Sequence, residues 1–135
     1  MGDHVTRDEL AIIRTLAEYC MRCDDGDFAS LVDLFTADGA LGYSESEARG
    51  RAALLAFFES SQGLPEQRGK HITTNFVIDL DGDGATARSD FVFYRFVDGV
   101  FTPAIGGRYH DELVRDEGQW RFARREIRRM RPPAS

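Results

Sequence analysis

The sequence has few of the features that mark specialised architectures. No apolar run approaches the roughly 18–20 residues needed to cross a bilayer, and the opening stretch MGDHVTRDEL is too acidic and polar for a secretory leader. A cytoplasmic protein with no membrane partner is the expectation. Cysteine is nearly absent: Cys20 and Cys23 stand in a C-x-x-C spacing, but a redox pair needs a helix N-terminus to lower a thiol pKa, and a zinc site needs two further ligands. The pair falls late in a helical segment and no second pair exists, so both read as small buried hydrophobes. Internal repeats, linkers and low-complexity tracts are missing too. With 135 residues, 42 % of them hydrophobic, residues 1–135 suit one domain with one core and room for a pocket. Basic charge is thin outside the tail. The net charge is −6, and six arginines crowd between Arg121 and Arg131, which leaves the rest strongly acidic; no nucleic-acid partner is expected.

What is present divides into a helical first half and a stranded second half, an α+β pattern because the strands come consecutively. Thr6 and Glu9 read as a capping box that starts a helix near Arg7, with the apolar stripe Leu10, Ile13, Ala17, Cys20 in steps of three and four. A second helix is predicted in DFASLVDLFTADG, after Gly26 and up to Gly39, followed by a brief strand over Ala40–Tyr43. A third, RAALLAFFESSQ, opens at Gly50 and closes before Pro65. Strand composition then covers Ile72–Leu80, Thr86–Val97, Ala104–Arg115 and Gln119–Met130, with DGDG, a loop over Asp98–Pro103, and DEG between them. Four long strands with short connections predict an antiparallel meander.

Extending the first stripe gives the most informative position. The next residue on that face is Asp24, a carboxylate where an apolar residue is called for. A lone buried carboxylate is costly, so it must be paired, hydrogen-bonded or open to a cavity. His71 begins the first long strand, within reach of a helix packed on the sheet. A carboxylate that holds an imidazole in one tautomer turns the other ring nitrogen into a general base. Asp25 and Asp27, in the DDGD turn, read as solvent-facing or capping residues.

The segments YCMRCDDGDFASLVDLFTADG, GRAALLAFF, HITTNFVIDLDGDGATARSDFVFY and GGRYHDELVRDEGQWRFARREI, in this order and spacing, resemble the SnoaL-like branch of the nuclear transport factor 2 (NTF2) superfamily. That resemblance implies a cone-shaped domain, three N-terminal helices packed on a curved, mainly antiparallel sheet around a pocket. Within the superfamily the pattern is most similar to the scytalone dehydratase and hexachlorocyclohexane dehydrochlorinase group, in which an Asp–His dyad abstracts a proton during elimination. The dyad carries over onto Asp24 and His71, with Thr74 and Asn75 completing an H-x-x-T-N motif. An arginine that helps hold the departing chloride carries over onto Arg125, and an aromatic pocket residue onto Tyr109. The dehydrochlorinase lysine before the aspartate is Tyr19 here, a departure from the pattern that argues against chloride elimination. A tyrosine polarises an oxygen, which suits dehydration, isomerisation or cyclisation.

Tyr109 and His110 are neighbours on one strand and point to opposite faces, so at most one of them enters a shared pocket. By simple alternation Arg125 faces away from Trp120 and Phe122, and needs a bulge to join them. The phenylalanines of AFF and DFVFYRF, Phe91 among them, suit an apolar pocket. Asp79, Asp81, Asp83 and Gly84, with Asp90, imitate a calcium loop, but strands flank it and no glutamate closes it, so a hairpin turn is expected. Asp24, His71 and His110 would make a two-histidine, one-carboxylate iron site only if His110 shared their face; no metal and no cofactor are expected. The expected function is a cofactor-independent lyase or isomerase on a small apolar cyclic or aromatic substrate. His71 takes the proton, Asp24 orients it, Tyr19, Arg125 and Tyr109 assist, and Asn75, Phe91 and His110 contribute to binding. The competing function is a non-catalytic ligand-binding or accessory subunit, such as a ring-hydroxylating dioxygenase small subunit. An apolar sheet face carrying DFVFYRFV implies a homodimer or homotrimer.

Overall fold

The computed structural model describes residues 2–133. The chain order is α1 (Gly2–Asp24), α2 (Phe28–Val32), β1 (Phe35–Tyr43), β2 (Ser46–Arg49), α3 (Arg51–Gln62), a 3-10 turn (Pro65–Gln67), then β3 (Lys70–Asp81), β4 (Gly84–Val97), β5 (Val100–Asp116) and β6 (Gln119–Arg129). The six strands form one open mixed sheet in the order β2-β1-β6-β5-β4-β3. β3 to β6 are the antiparallel meander that composition predicts; β1 returns parallel to β6 and carries β2 at the edge. The helices pack on one face, so the class is α+β with the expected NTF2-like architecture.

Helix α1 starts at Gly2, not near Arg7, so Thr6 and Glu9 lie inside it and are not a cap. Its buried stripe is Ile12, Thr15, Leu16, Tyr19, Cys20 and Cys23, while Leu10 is 62 % exposed and Ala17 is exposed. Two stripes share one period, and the one with the larger side chains wins the core, where each buried Leu or Ile contributes about 1.5–3 kcal/mol. Helix α2 ends at Val32 instead of Gly39, because the Phe122 N–H donates to the Leu34 carbonyl and draws the following residues into β1. Strand β2 escapes the sequence reading. It follows a two-residue turn in which Ser44 and Glu45 have φ of 43° and 66°. The loop expected over Asp98–Pro103 is a two-residue turn at Asp98 and Gly99, both with positive φ, closing the Val97–Val100 pair. DGDG closes the β3–β4 hairpin, as expected of a turn.

Three irregularities decide which side chains face the helices. In β6 Phe122 pairs with Leu113 and Arg124 with Glu112, leaving Ala123 as an extra residue. That bulge lets Trp120, Phe122 and Arg125 all face inward. A second irregularity in β3, between Thr74 and Val77, sets Asn75 at φ 57°. A third, between Phe93 and Tyr94, accommodates Pro103 in β5. In β4, Phe91 and Phe93 face the core, while Val92, Tyr94 and Phe96 of the same stretch alternate away from it, half-buried or exposed. Exposed apolar side chains include Phe96, Val97, Val100 and Phe101 at the β4–β5 tip and Ile72, Phe76 and Val77 on β3.

Candidate active site

Helix α1 ends where the site begins. Gly26 takes a positive φ that an L side chain rarely adopts, the N–H groups of Asp25, Gly26 and Asp27 close the last turn, and Asp27 caps α2 through the Ser30 N–H. Asp24 is the last residue of the helix, with its side chain 5 % exposed. Its two oxygens serve one partner: Oδ1 lies 2.5 Å from His71 Nδ1, and Oδ2 accepts the His71 backbone N–H at 3.0 Å. One turn earlier Cys20 Sγ meets Thr73 Oγ1 at 3.0 Å. The match is geometric. Four helical residues rise about 6 Å and two strand residues span about 6.6 Å, so positions 20 and 24 meet positions 73 and 71 in register. Gly69 makes the entry to β3, since a Cβ there would overlap the Tyr94 carbonyl oxygen.

A carboxylate on Nδ1 holds the proton on that nitrogen and leaves a lone pair on Nε2. The imidazole ring lies 4.5 Å from the Phe93 ring and forms part of the wall of a cavity of about 250 Å³. Tyr19, Cys23, Phe58, Phe91 and Tyr109 supply its inner walls; Tyr43 and Arg129, both exposed, lie on its open side. Burial pushes the Tyr19 and Tyr109 hydroxyls well above the ordinary tyrosine pKa. Both are neutral donors at physiological pH, not bases. Burial likewise pushes the Cys23 thiol up to about 12, so it is no nucleophile at neutral pH.

Arg125 is placed one layer behind this cavity. It is fully buried, and its Nε and Nη2 donate to Asp111 Oδ1 and Oδ2 at 2.8 and 3.0 Å. Its guanidinium carbon sits 3.6 Å from the Tyr109 ring centroid and 4.3 Å from that of Tyr19. Burial opposes the cation, but the Asp111 carboxylate more than restores it and holds the Arg125 pKa above its ordinary value. Arg125 is not in the cavity wall, so the sequence expectation of a leaving-group cation is corrected: the arginine backs the two tyrosines and is spoken for by Asp111. Phe91 stacks on Tyr109 at 4.4 Å and is in the wall. Asn75 is not. The β3 irregularity turns it outward, where its amide donates to Asp90 Oδ2 at 2.9 Å. His110 also lies outside, on the opposite sheet face beside Arg88, Glu126 and Arg128, with its pKa lowered by burial and then by Arg128. It cannot join Asp24 and His71, and among the described residues no three His, Cys, Asp or Glu side chains cluster to hold a metal ion.

Sequence reasoning missed Asp111, Gln62 and Arg129. Asp111 had a signal, since it alternates with Tyr109 and Leu113 on an inward face and is a second carboxylate in an apolar pattern. Arg129 had none, because its inward direction depends on the Ala123 bulge.

The SnoaL-like domain family profile matches residues 4–126. Among solved structures, a protein of unknown function from Mycobacterium tuberculosis is 32 % identical with a TM-score of 0.92, over 97 % of this chain and 76 % of its own. An NTF2-like protein with a cystatin-like fold from Novosphingobium aromaticivorans is 28 % identical, TM-score 0.88, over 97 % and 87 %. A protein from the same organism named as a candidate scytalone dehydratase is 28 % identical, TM-score 0.84, over 97 % and 89 %. No curated protein sequence matches significantly. With its sheet order, its helix-on-sheet cavity and a family match over most of its length, the chain belongs to the SnoaL-like domain family on the NTF2-like fold.

Proposed function

We propose that the protein is a cofactor-independent, proton-abstracting lyase or isomerase of the dehydratase type, acting on a small, largely apolar cyclic or aromatic substrate. One observation carries the reading: both oxygens of Asp24 are committed to His71, one to Nδ1 and one to the backbone N–H, while the ring forms part of the cavity wall. The carboxylate fixes the tautomer before substrate arrives and stabilises the imidazolium once Nε2 has taken a proton. Removing a proton beside a carbonyl leaves charge on its oxygen. Tyr19 and Tyr109, held neutral by burial, are the wall donors suited to that oxygen. Elimination of water or a double-bond shift follows according to the substrate. Self-association as a homodimer or homotrimer belongs to the same proposal, through the exposed apolar side chains at the β4–β5 tip.

The test is hydron exchange into 2-tetralone, a bicyclic ketone with an acidic C–H, followed by proton NMR in deuterated buffer. The wild-type chain accelerates the exchange, and His71→Ala and Asp24→Asn each lose about a hundredfold or more of that acceleration, the scale of a general base. Exchange no faster than buffer, or equal in the variants, would sink the enzyme reading and favour a ligand-binding module.

A further inference from the structure

The cavity wall is apolar except at a few points, and its charge is one-sided. Among the described residues no acidic side chain forms part of it; Asp24 stands behind His71 with both oxygens occupied. Two arginines of β6 face the helix side past the Ala123 bulge. Arg125 is neutralised by Asp111, whereas Arg129 lines the cavity and, among the described residues, has no carboxylate within ion-pair distance. Its neighbour across the β5–β6 pairing is Gly107, where a Cβ would press on the Arg129 Cα and the Phe91 ring, so the pairing that places Arg129 depends on that glycine. Gln62, at the end of α3, also lines the cavity, and its Oε1 is buried with no hydrogen-bond partner among the described residues. A ligand composed only of hydrocarbon would leave the guanidinium unanswered.

We infer that Arg129 reads an anion, and that the ligand of this cavity is a ring-bearing carboxylic acid, its ring against Phe91 and Tyr109 and its carboxylate on the Arg129 guanidinium at the open side. The inference rests on the reading of this cavity as a ligand site and narrows its substrate class. A guanidinium fork matches a carboxylate bidentately, and a half-open site leaves the cation hydrated until the ligand arrives.

The probes are 1-naphthoate and 1-naphthol, which share a ring system and differ in charge at neutral pH, titrated calorimetrically into the full chain at low salt. Naphthoate binds about tenfold more tightly, a gap that narrows as salt is raised. Arg129→Gln erases the gap and leaves naphthol affinity in place, while Arg129→Lys keeps part of it. Equal affinities in the wild type, an unchanged gap in Arg129→Gln, or no binding of either probe at millimolar concentration overturns the inference. Binding is read without turnover, so the two readings fail separately. Preference for naphthoate without hydron exchange removes only the proton-abstraction proposal, and exchange without preference removes only this one.

Discussion

Arg125 and Asp111 are the costliest residues to separate. Both are fully buried, joined by two hydrogen bonds, with the cation sandwiched against aromatic rings. Removing one partner strands a charge in a low dielectric, at about 3–5 kcal/mol, whereas replacing both with apolar groups can be nearly neutral. Arg125→Met and Asp111→Leu are each expected to lower urea stability on that scale, and the double variant carrying both to lose less than the two single losses combined; additive losses would contradict the pairing argument. Cys23 gives a pH dependence of known sign. The folded state holds this thiol proton more tightly than the unfolded chain does, with the pKa raised to about 12 by burial and then by the nearby Asp24. Its stabilising contribution is therefore complete below the ordinary thiol range and declines as pH rises towards that value, by at most about 1.4 kcal/mol per pH unit. Denaturation between about pH 8 and about pH 11 is expected to show a shallower decline in Cys23→Ala than in the wild type.

At the scale of elements, the site depends on how α1 lies along β3 and on one extra residue in β6. Gly69 lets the chain pass close to β4 just before His71. Gly69→Ala forces β3 away from the Tyr94 carbonyl, so a loss of about 2 kcal/mol or more is expected, the scale of a strained backbone or overpacked contact, together with lost hydron exchange. Normal thermal stability and exchange in that variant would show that the approach is dispensable. Deleting Ala123 removes the bulge and brings Phe122 and Arg125 two positions apart, so strict alternation itself keeps both on the inner face. The deletion is expected to fold and melt cooperatively with Arg125 still paired to Asp111, and loss of the cooperative melt would refute the reading of Ala123 as the extra residue.

For the whole molecule, the described residues include no helix long and apolar enough to cross a membrane, and the uncovered apolar side chains include a group at one hairpin tip, Phe96, Val97, Val100 and Phe101. If the proposed self-association uses that tip, light scattering will give a dimer or trimer for the wild type and a monomer for Phe96→Lys with Phe101→Lys; a monomeric wild type ends that proposal. Much of the fold was legible. Strand composition and turn residues located β3 to β6, and Gly50 with RAALLAFF located α3. Asp24 was reached through a stripe that is not the buried one: Leu10 and Ala17 face solvent, yet position 24 still meets β3, since the true stripe through Cys20 and Cys23 ends beside it. The brief strand expected over Ala40–Tyr43 is the second half of β1; its earlier start, its pairing along β6 and the short β2 were unforeseen and come from long-range pairing and a positive-φ turn at Ser44 and Glu45. By itself the sequence determined which residues are apolar, where helices give way to strands, and that a carboxylate and an imidazole sit at the two ends of that change, since local periodicity and composition record these. Only the tertiary structure decided that Arg125 stands behind Tyr109 while Arg129 lines the cavity and Asn75 and His110 lie outside it, because a single inserted strand residue reverses which face every later side chain takes.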